Sequence, residues 1–223
     1  PSSVQEMADF MPLAFDLADQ YRITVMILAD GILGQMMEPV SIEKKSRRSL
    51  PEKEWALTGM KGRKQNIVRS LWLKEGVLEQ LNEKLQDKYA AIEREETLCE
   101  CSRTEDCDIA VISYGIMARI ARTAVVRARK EGINAGLIRP VTLWPFPAED
   151  IRAAAGKTKT LLTVEMNYGQ MVEDVKLAAE GQVPVEFLGR AGGGIPSVEQ
   201  ILEKIKKTAD AADGRTKIPN LKS

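Results

Sequence analysis

Few residues of this chain combine the type and spacing that chemistry requires, and Glu165 stands first among them. Leu161-Leu162-Thr163-Val164 is an apolar, partly β-branched run that ends on this carboxylate. Met166-Asn167-Tyr168-Gly169 makes a polar turn, and an amphipathic run opens at Gln170. A buried strand passing through a loop into a helix has this pattern. The junction falls at the carboxyl end of a strand, where open α/β sheets present their reactive groups. Burial there would raise the pKa of Glu165 and make it an acid or base near neutrality. The other reading is a carboxylate accepting hydrogen bonds from loop amides. Asn167 and Gln170 are residue types that more often fix a loop than bind a ligand.

Other candidates are weaker. Gly189-Arg190-Ala191-Gly192-Gly193-Gly194 precedes a helix start, a place where backbone amides can cradle phosphate. It fits neither G-x-G-x-x-G nor G-x-x-x-x-G-K-[ST] and follows the last strand rather than the first, so a plain turn is expected. Cys99, Cys101 and Cys107 are spaced C-x-C-x5-C in a polar stretch expected to be a loop. Iron–sulfur clusters usually take four thiolates, so free thiols are expected, and a metal would need a ligand from elsewhere. Histidine is absent, which removes the commonest general base, the triads that depend on it and most zinc sites. Carboxylates, Lys/Arg, backbone groups or a borrowed cofactor must carry any reaction.

The positioning elements follow from periodicity. The chain has 223 residues, enough for a real core and two compact parts. Lys+Arg and Asp+Glu are equal at 32 each, so no net field draws nucleic acid or anionic lipid. No apolar run reaches the ~18 residues of a membrane span and no signal peptide opens the chain, so a cytoplasmic protein is expected. The odd number of cysteines argues against a secreted disulfide framework.

Ser3-Val4-Gln5-Glu6 has the form of a capping box, followed by apolar residues at helical spacing to about Tyr21, with Pro12 expected to kink the helix. Ile23–Ala29 is a continuous apolar run, expected to be a fully buried parallel strand ending at Asp30-Gly31. One helix and one strand do not make a domain. Residues 1–40, which open without Met, are therefore expected to be the last αβ unit of a larger one. Residues 41–106 are expected to form a linker arm. Its basic clusters, Lys44–Arg48 and Lys61–Lys64, form a solvated connector or bind an anionic group; the connector is expected. Trp55, Leu57, Ile67, Leu71 and Trp72 are expected to lie on another surface. Gly76–Glu96 is a charged helix with a narrow apolar seam of Val77, Leu81, Leu85, Tyr89 and Ile92.

From Asp108 onward strands and helices alternate in four βα units. The expected fold class is α/β, a doubly wound and mostly parallel sheet with helices on both faces. A second capping box, Ser197 with Gln200, starts the last helix. From Ala211 a mobile tail is expected.

Several strings together resemble a known family: PSSVQEM, LAFDLADQYR, VMILADGILGQMMEPV, WALTGMKGRKQNI, VEMNYGQMVEDV and GRAGGGIP. They are similar to the alpha-type subunit of 2-oxoacid:ferredoxin oxidoreductases, most of all the branched-chain, 2-oxoisovalerate type, over residues 1–210. The resemblance implies oxidative decarboxylation of a 2-oxoacid on thiamine diphosphate, with the acyl group passing to coenzyme A and electrons to ferredoxin. It implies a thiamine pyrimidine-binding domain ending in residues 1–40 and a transketolase C-terminal-like domain over 107–210, with a tail at 211–223. Thiamine diphosphate with Mg would be shared with a beta-type subunit, and iron–sulfur clusters would sit on that and smaller subunits, so this chain alone would bind no cofactor. Homodimeric contacts are expected as well; nucleic acid and membrane are not. The glutamate that activates thiamine matches no position here, so no catalytic residue and no metal ligand is assigned. Asp30, Gly31 and Gln35 are expected near cofactor or substrate. Glu165, Asn167, Gly169, Gln170, Gly192 and Gly193 are expected at a crevice or subunit-docking surface. A chain inert by itself is the first expectation. Alternatives are a non-catalytic assembly module, the pyruvate or 2-oxoglutarate type of the same enzyme, and a nucleotide binder using Gly189–Gly194.

Overall fold

The computed structural model describes residues 1–42 and 48–214. In chain order the helices are α1 (Val4–Tyr21), α2 (Gly31–Gln35), α3 (Val77–Glu96), α4 (Gly115–Lys130), α5 (Ala148–Ala155), α6 (Met171–Ala179) and α7 (Val198–Ala212). The strands are β1 (Cys99–Ser102), β2 (Ile109–Ile112), β3 (Ala135–Pro140), β4 (Thr160–Glu165) and β5 (Val185–Gly189). They form one sheet in the order β1-β3-β2-β4-β5, parallel except for β1, which pairs antiparallel with β3.

Helices cover both faces, which is why β2, β3 and β4 carry apolar residues at successive rather than alternate positions. On one face Ile109, Val111, Leu137, Leu162 and Val164 pack against α4 and α7. On the other, Ala110, Ile112, Ile138 and Leu161 pack against α5 and α6. The chain runs from β2 outward to β3 and then returns to place β4 on the other side of β2. The order of connection therefore reverses between β2 and β4, and a crevice opens there at the carboxyl ends of the strands.

Two expectations about elements are corrected. The cysteine segment is an edge strand, because Cys99–Ser102 pairs with Leu137–Pro140. Ile23–Ala29 is extended but belongs to no ladder among the described residues. It alternates: Ile23, Val25 and Ile27 are half-buried, while Met26 and Leu28 are 73% and 59% exposed. A fully buried strand needs cover on both faces and partners at both edges, and this chain supplies one face only. Helix α1 continues through Pro12 without a break. The arm residues Leu57, Ile67 and Leu71 are largely exposed, so within this chain they do not pack on another surface. Trp55 and Trp72 are instead each flanked by a cation, Arg22 at 4.7 Å and Arg69 at 4.2 Å from the ring centre. The seam of α3 faces inward, with Ile92 buried. Lys44 to Arg47 and the tail from 215 lie outside the described residues, while Ala211 and Ala212 belong to α7.

Gly136, in β3, shows how closely the edge is packed. A Cβ there would lie 2.6 Å from the Arg103 carbonyl oxygen and 3.0 Å from Cys107 Sγ. The obstacle is backbone, so it yields little. Gly136→Ala is expected to cost about 1–3 kcal/mol of stability, read as a lower urea midpoint at unchanged slope.

Candidate functional site

The crevice between β2 and β4 opens into a cavity of about 700 Å³. Its floor is the carboxyl end of the sheet, with Tyr114, Glu165 and Asn167, and its far wall is α1 and the extended segment through Ile23–Asp30. Apolar side chains line most of it, with a few polar groups at the sheet end, the composition common to ligand and partner sites.

Two helices point their N-termini at this crevice, and each is already satisfied by a carboxylate of the chain. Glu165, only 1% exposed, accepts from the Met171 and Val172 amides at the start of α6, at 2.9 and 3.0 Å, and from Asn167 Nδ2 at 2.9 Å. Asn167 Oδ1 in turn accepts from the Gly169 amide at 2.7 Å, closing the turn. Of the two readings that the sequence left open, this geometry is that of an acceptor for loop and helix amides. At the second helix, α4, the Ile116 amide donates to Asp30 Oδ2 at 3.4 Å. The other oxygen of Asp30 accepts from the Leu33 amide at 2.8 Å and caps α2. One carboxylate thus tethers the segment over the crevice to the sheet domain beneath it. Negative charge at a helix N-terminus is favourable, which accounts for both placements. Tyr114 lies between these anions. Burial, with the charges of Glu165 and Asp30, raises its pKa despite the bond to Asn167, so it is a neutral phenol at physiological pH.

The strongest electrostatic feature was missed in the sequence. Arg139, in β3, has a side chain 3% exposed. Its Nη1 and Nη2 donate to the two oxygens of Glu6 at 3.0 and 2.7 Å, and its Nε donates to Glu100 at 2.9 Å. This pulls α1 down onto the sheet. Burial works to raise the Glu6 pKa, but the Arg139 guanidinium and Ser2 outweigh it and hold the carboxyl below its ordinary range. Glu100 is lowered chiefly by its hydrogen bond to Arg139. The capping box at Ser3 is therefore only half made: Ser3 Oγ accepts from the Glu6 amide, while the Glu6 carboxylate goes to Ser2 and Arg139. The usable signal was one arginine inside the otherwise apolar run AGLIRP, since a charge in a covered strand implies carboxylate partners.

The sequence-predicted residues separate into three groups. Asp30, Glu165, Asn167 and Gln170 line the cavity. Gly31 and Gln35 lie in α2 just outside it, and Gly169 supports the turn behind it. Gly192 and Gly193, at φ 67° and 82°, make a turn away from the cavity. In that loop Arg190 donates to the Ile195 carbonyl at 3.1 Å, and Gly194 lies against the same guanidinium. The helix start behind it is closed by the Ser197–Gln200 capping box. The Ser197 hydroxyl thus accepts from the Gln200 amide, one of the donors a phosphate at this helix start would use.

The basic clusters do not assemble into an anion site among the described residues. Arg48 is spent on Glu96, which it grips with two bonds of 2.5 and 2.8 Å, and Arg63 bonds the Lys64 carbonyl. No helix of the described residues is long and apolar enough to cross a membrane.

Comparisons with known proteins bear on this arrangement. Residues 1–98 match the model of the pyruvate flavodoxin/ferredoxin oxidoreductase thiamine diP-binding family. Residues 107–201 match pyruvate:ferredoxin oxidoreductase core domain II. The chain is 45% identical over 209 residues to the ketoisovalerate oxidoreductase subunit VorB of Methanothermobacter marburgensis, covering 94% of this chain and 59% of that protein. It is 36% identical to the 2-oxoglutarate synthase subunit KorA of the same organism, over 92% of this chain and 62% of that one. The chain thus spans about three fifths of the length of these relatives. Among solved structures, a 2-oxoglutarate:ferredoxin oxidoreductase from Magnetococcus marinus superposes with a TM-score of 0.54 at 22% identity. The match covers 60% of this chain and 24% of that one, a likeness of fold.

Proposed function

Because the chain belongs to the 2-oxoacid:ferredoxin oxidoreductase family, as an alpha-type subunit sequence, we propose that it works within a complex that oxidatively decarboxylates a branched 2-oxoacid, 2-oxoisovalerate, to its acyl-CoA while reducing ferredoxin. The observation that carries the substrate assignment is the higher identity to a ketoisovalerate subunit than to a 2-oxoglutarate one, 45% against 36%. Residues 1–40 are the end of the pyrimidine-binding domain, 41–106 the connecting arm and 107–210 the transketolase C-terminal-like domain. Beta-type and smaller iron–sulfur subunits are the partners.

The donor set at the crevice does not fit a magnesium diphosphate. The α4 and α6 N-termini are engaged by Asp30 and Glu165, and both carboxylates are already spent on amides. This supports placing the diphosphate and its metal on a partner subunit, with this chain inert by itself. No step of the reaction is assigned to its residues. Their work is positional: Asp30 and Arg139 hold the apolar wall of the cavity over the sheet, and Glu165 fixes the turn and the start of α6 at its floor.

The test is turnover by the assembled complex containing this chain. Ferredoxin reduction should require both a 2-oxoacid and coenzyme A, and kcat/KM for 2-oxoisovalerate should exceed that for pyruvate by at least about tenfold, the discrimination a shaped apolar pocket supplies. Equal or reversed preference would overturn the substrate assignment. Absence of turnover with 2-oxoisovalerate, pyruvate and 2-oxoglutarate alike would overturn the function.

A further inference from the structure

Strand β1 presents its residues alternately to the two sides of the sheet. Glu100 is turned to Arg139 on the α1 side. Cys99 and Cys101 must then face the opposite side, where Cys99 packs at the margin of the core formed with α5 and α6. Asp150, in the first turn of α5, reaches the same place. The two Sγ atoms and a carboxylate oxygen of Asp150 all lie within 4.8 Å of one another.

We propose that Cys99, Cys101 and Asp150 form a site for a thiophilic cation of the Zn²⁺ class, with its fourth position open to solvent. The donor types suit such an ion: two thiolates and one carboxylate are softer than any Mg²⁺ or Ca²⁺ site. The spacing suits it too. With Zn–S of about 2.3 Å and Zn–O of about 2.1 Å, tetrahedral donors stand roughly 3.5–3.8 Å apart, so a shift of about 1 Å closes the site. The side chains can make that shift, because Cys101 and Asp150 are exposed. Cys107 belongs elsewhere: it is buried beneath Arg103–Thr104 and donates to the Thr104 carbonyl. A cation held here would tie the antiparallel edge strand to α5, two elements that share no other cross-link of this kind among the described residues.

The experiment is a Cd²⁺ titration of the reduced full chain, followed by sulfur-to-cadmium charge-transfer absorption, with Zn²⁺ as competitor and thermal unfolding in parallel. One Cd²⁺ per chain, an intensity for two thiolates, displacement by Zn²⁺ and a raised unfolding midpoint are expected. Cys101→Ser and Asp150→Asn should each weaken binding at least about tenfold, while Cys107→Ala keeps it. Circular dichroism establishes that each variant is folded. A charge-transfer band that survives in the Cys99→Ser/Cys101→Ser double variant, or no band at stoichiometric Cd²⁺, would overturn the assignment.

Discussion

Arg139→Met is expected to destabilise the protein by about 2–3 kcal/mol, chiefly through the paired bonds to the part-buried Glu6, because the half-exposed Glu100 is screened by solvent and adds little. In the wild type every donor-bearing nitrogen of the guanidinium faces Glu6 or Glu100. The loss has a pH signature. Both carboxyls have folded pKa values below their ordinary range, so their stabilising contribution is complete above the unfolded value of about 4.3 and disappears as pH falls through the folded values. The gap between wild type and variant should therefore be widest near neutrality and narrow below about pH 4. Urea denaturation at several pH values measures it, and a gap that stays constant into acid would refute the assignment of this network. Arg139→Lys should recover only part of the stability, since an ammonium does not make two planar forks. Limited proteolysis adds a local readout: α1 should become susceptible before the sheet does.

Glu165→Ala should cost about 3 kcal/mol, the consequence of stranding two buried helix amides and one asparagine side chain that now share a carboxylate. Glu165→Gln keeps one acceptor oxygen but brings an N–H₂ group toward donors, so it should lie between. Hydrogen exchange at Met171 and Val172 reports directly on the cap. Fast exchange there, with the β-sheet amides still protected, is the expected pattern. A Glu165→Ala protein as stable as wild type would mean that the carboxylate serves another end.

Much of this was legible in the order of residues. Strand Ala135–Pro140 and the capping box at Ser197 stand as their local sequence implies, because covered strands and capped helices leave period and punctuation in the chain. The Cys99–Ser102 edge strand was not legible. Its polar residues face solvent or a single arginine, and its place is fixed by β3, some forty positions away. The same limit hid Glu6 and Arg139, which are far apart along the chain and meet only once the sheet exists. The Ile23–Ala29 run shows the converse. Its composition is that of an interior strand, and only the alternation of covered and bare side chains reveals that one side has no neighbour within these residues.

That segment also sets how the molecule behaves among copies of itself. Ile23 donates its amide to the Ala18 carbonyl, but Thr24–Ala29 joins no ladder among the described residues, and Met26 and Leu28 stand outward without a charge or proline in the run to discourage pairing. Sheets ordinarily blunt such margins, and a naked one is a template for adhesion between chains. Self-association that grows with concentration is therefore expected of this polypeptide in isolation, and light scattering over a dilution series measures it.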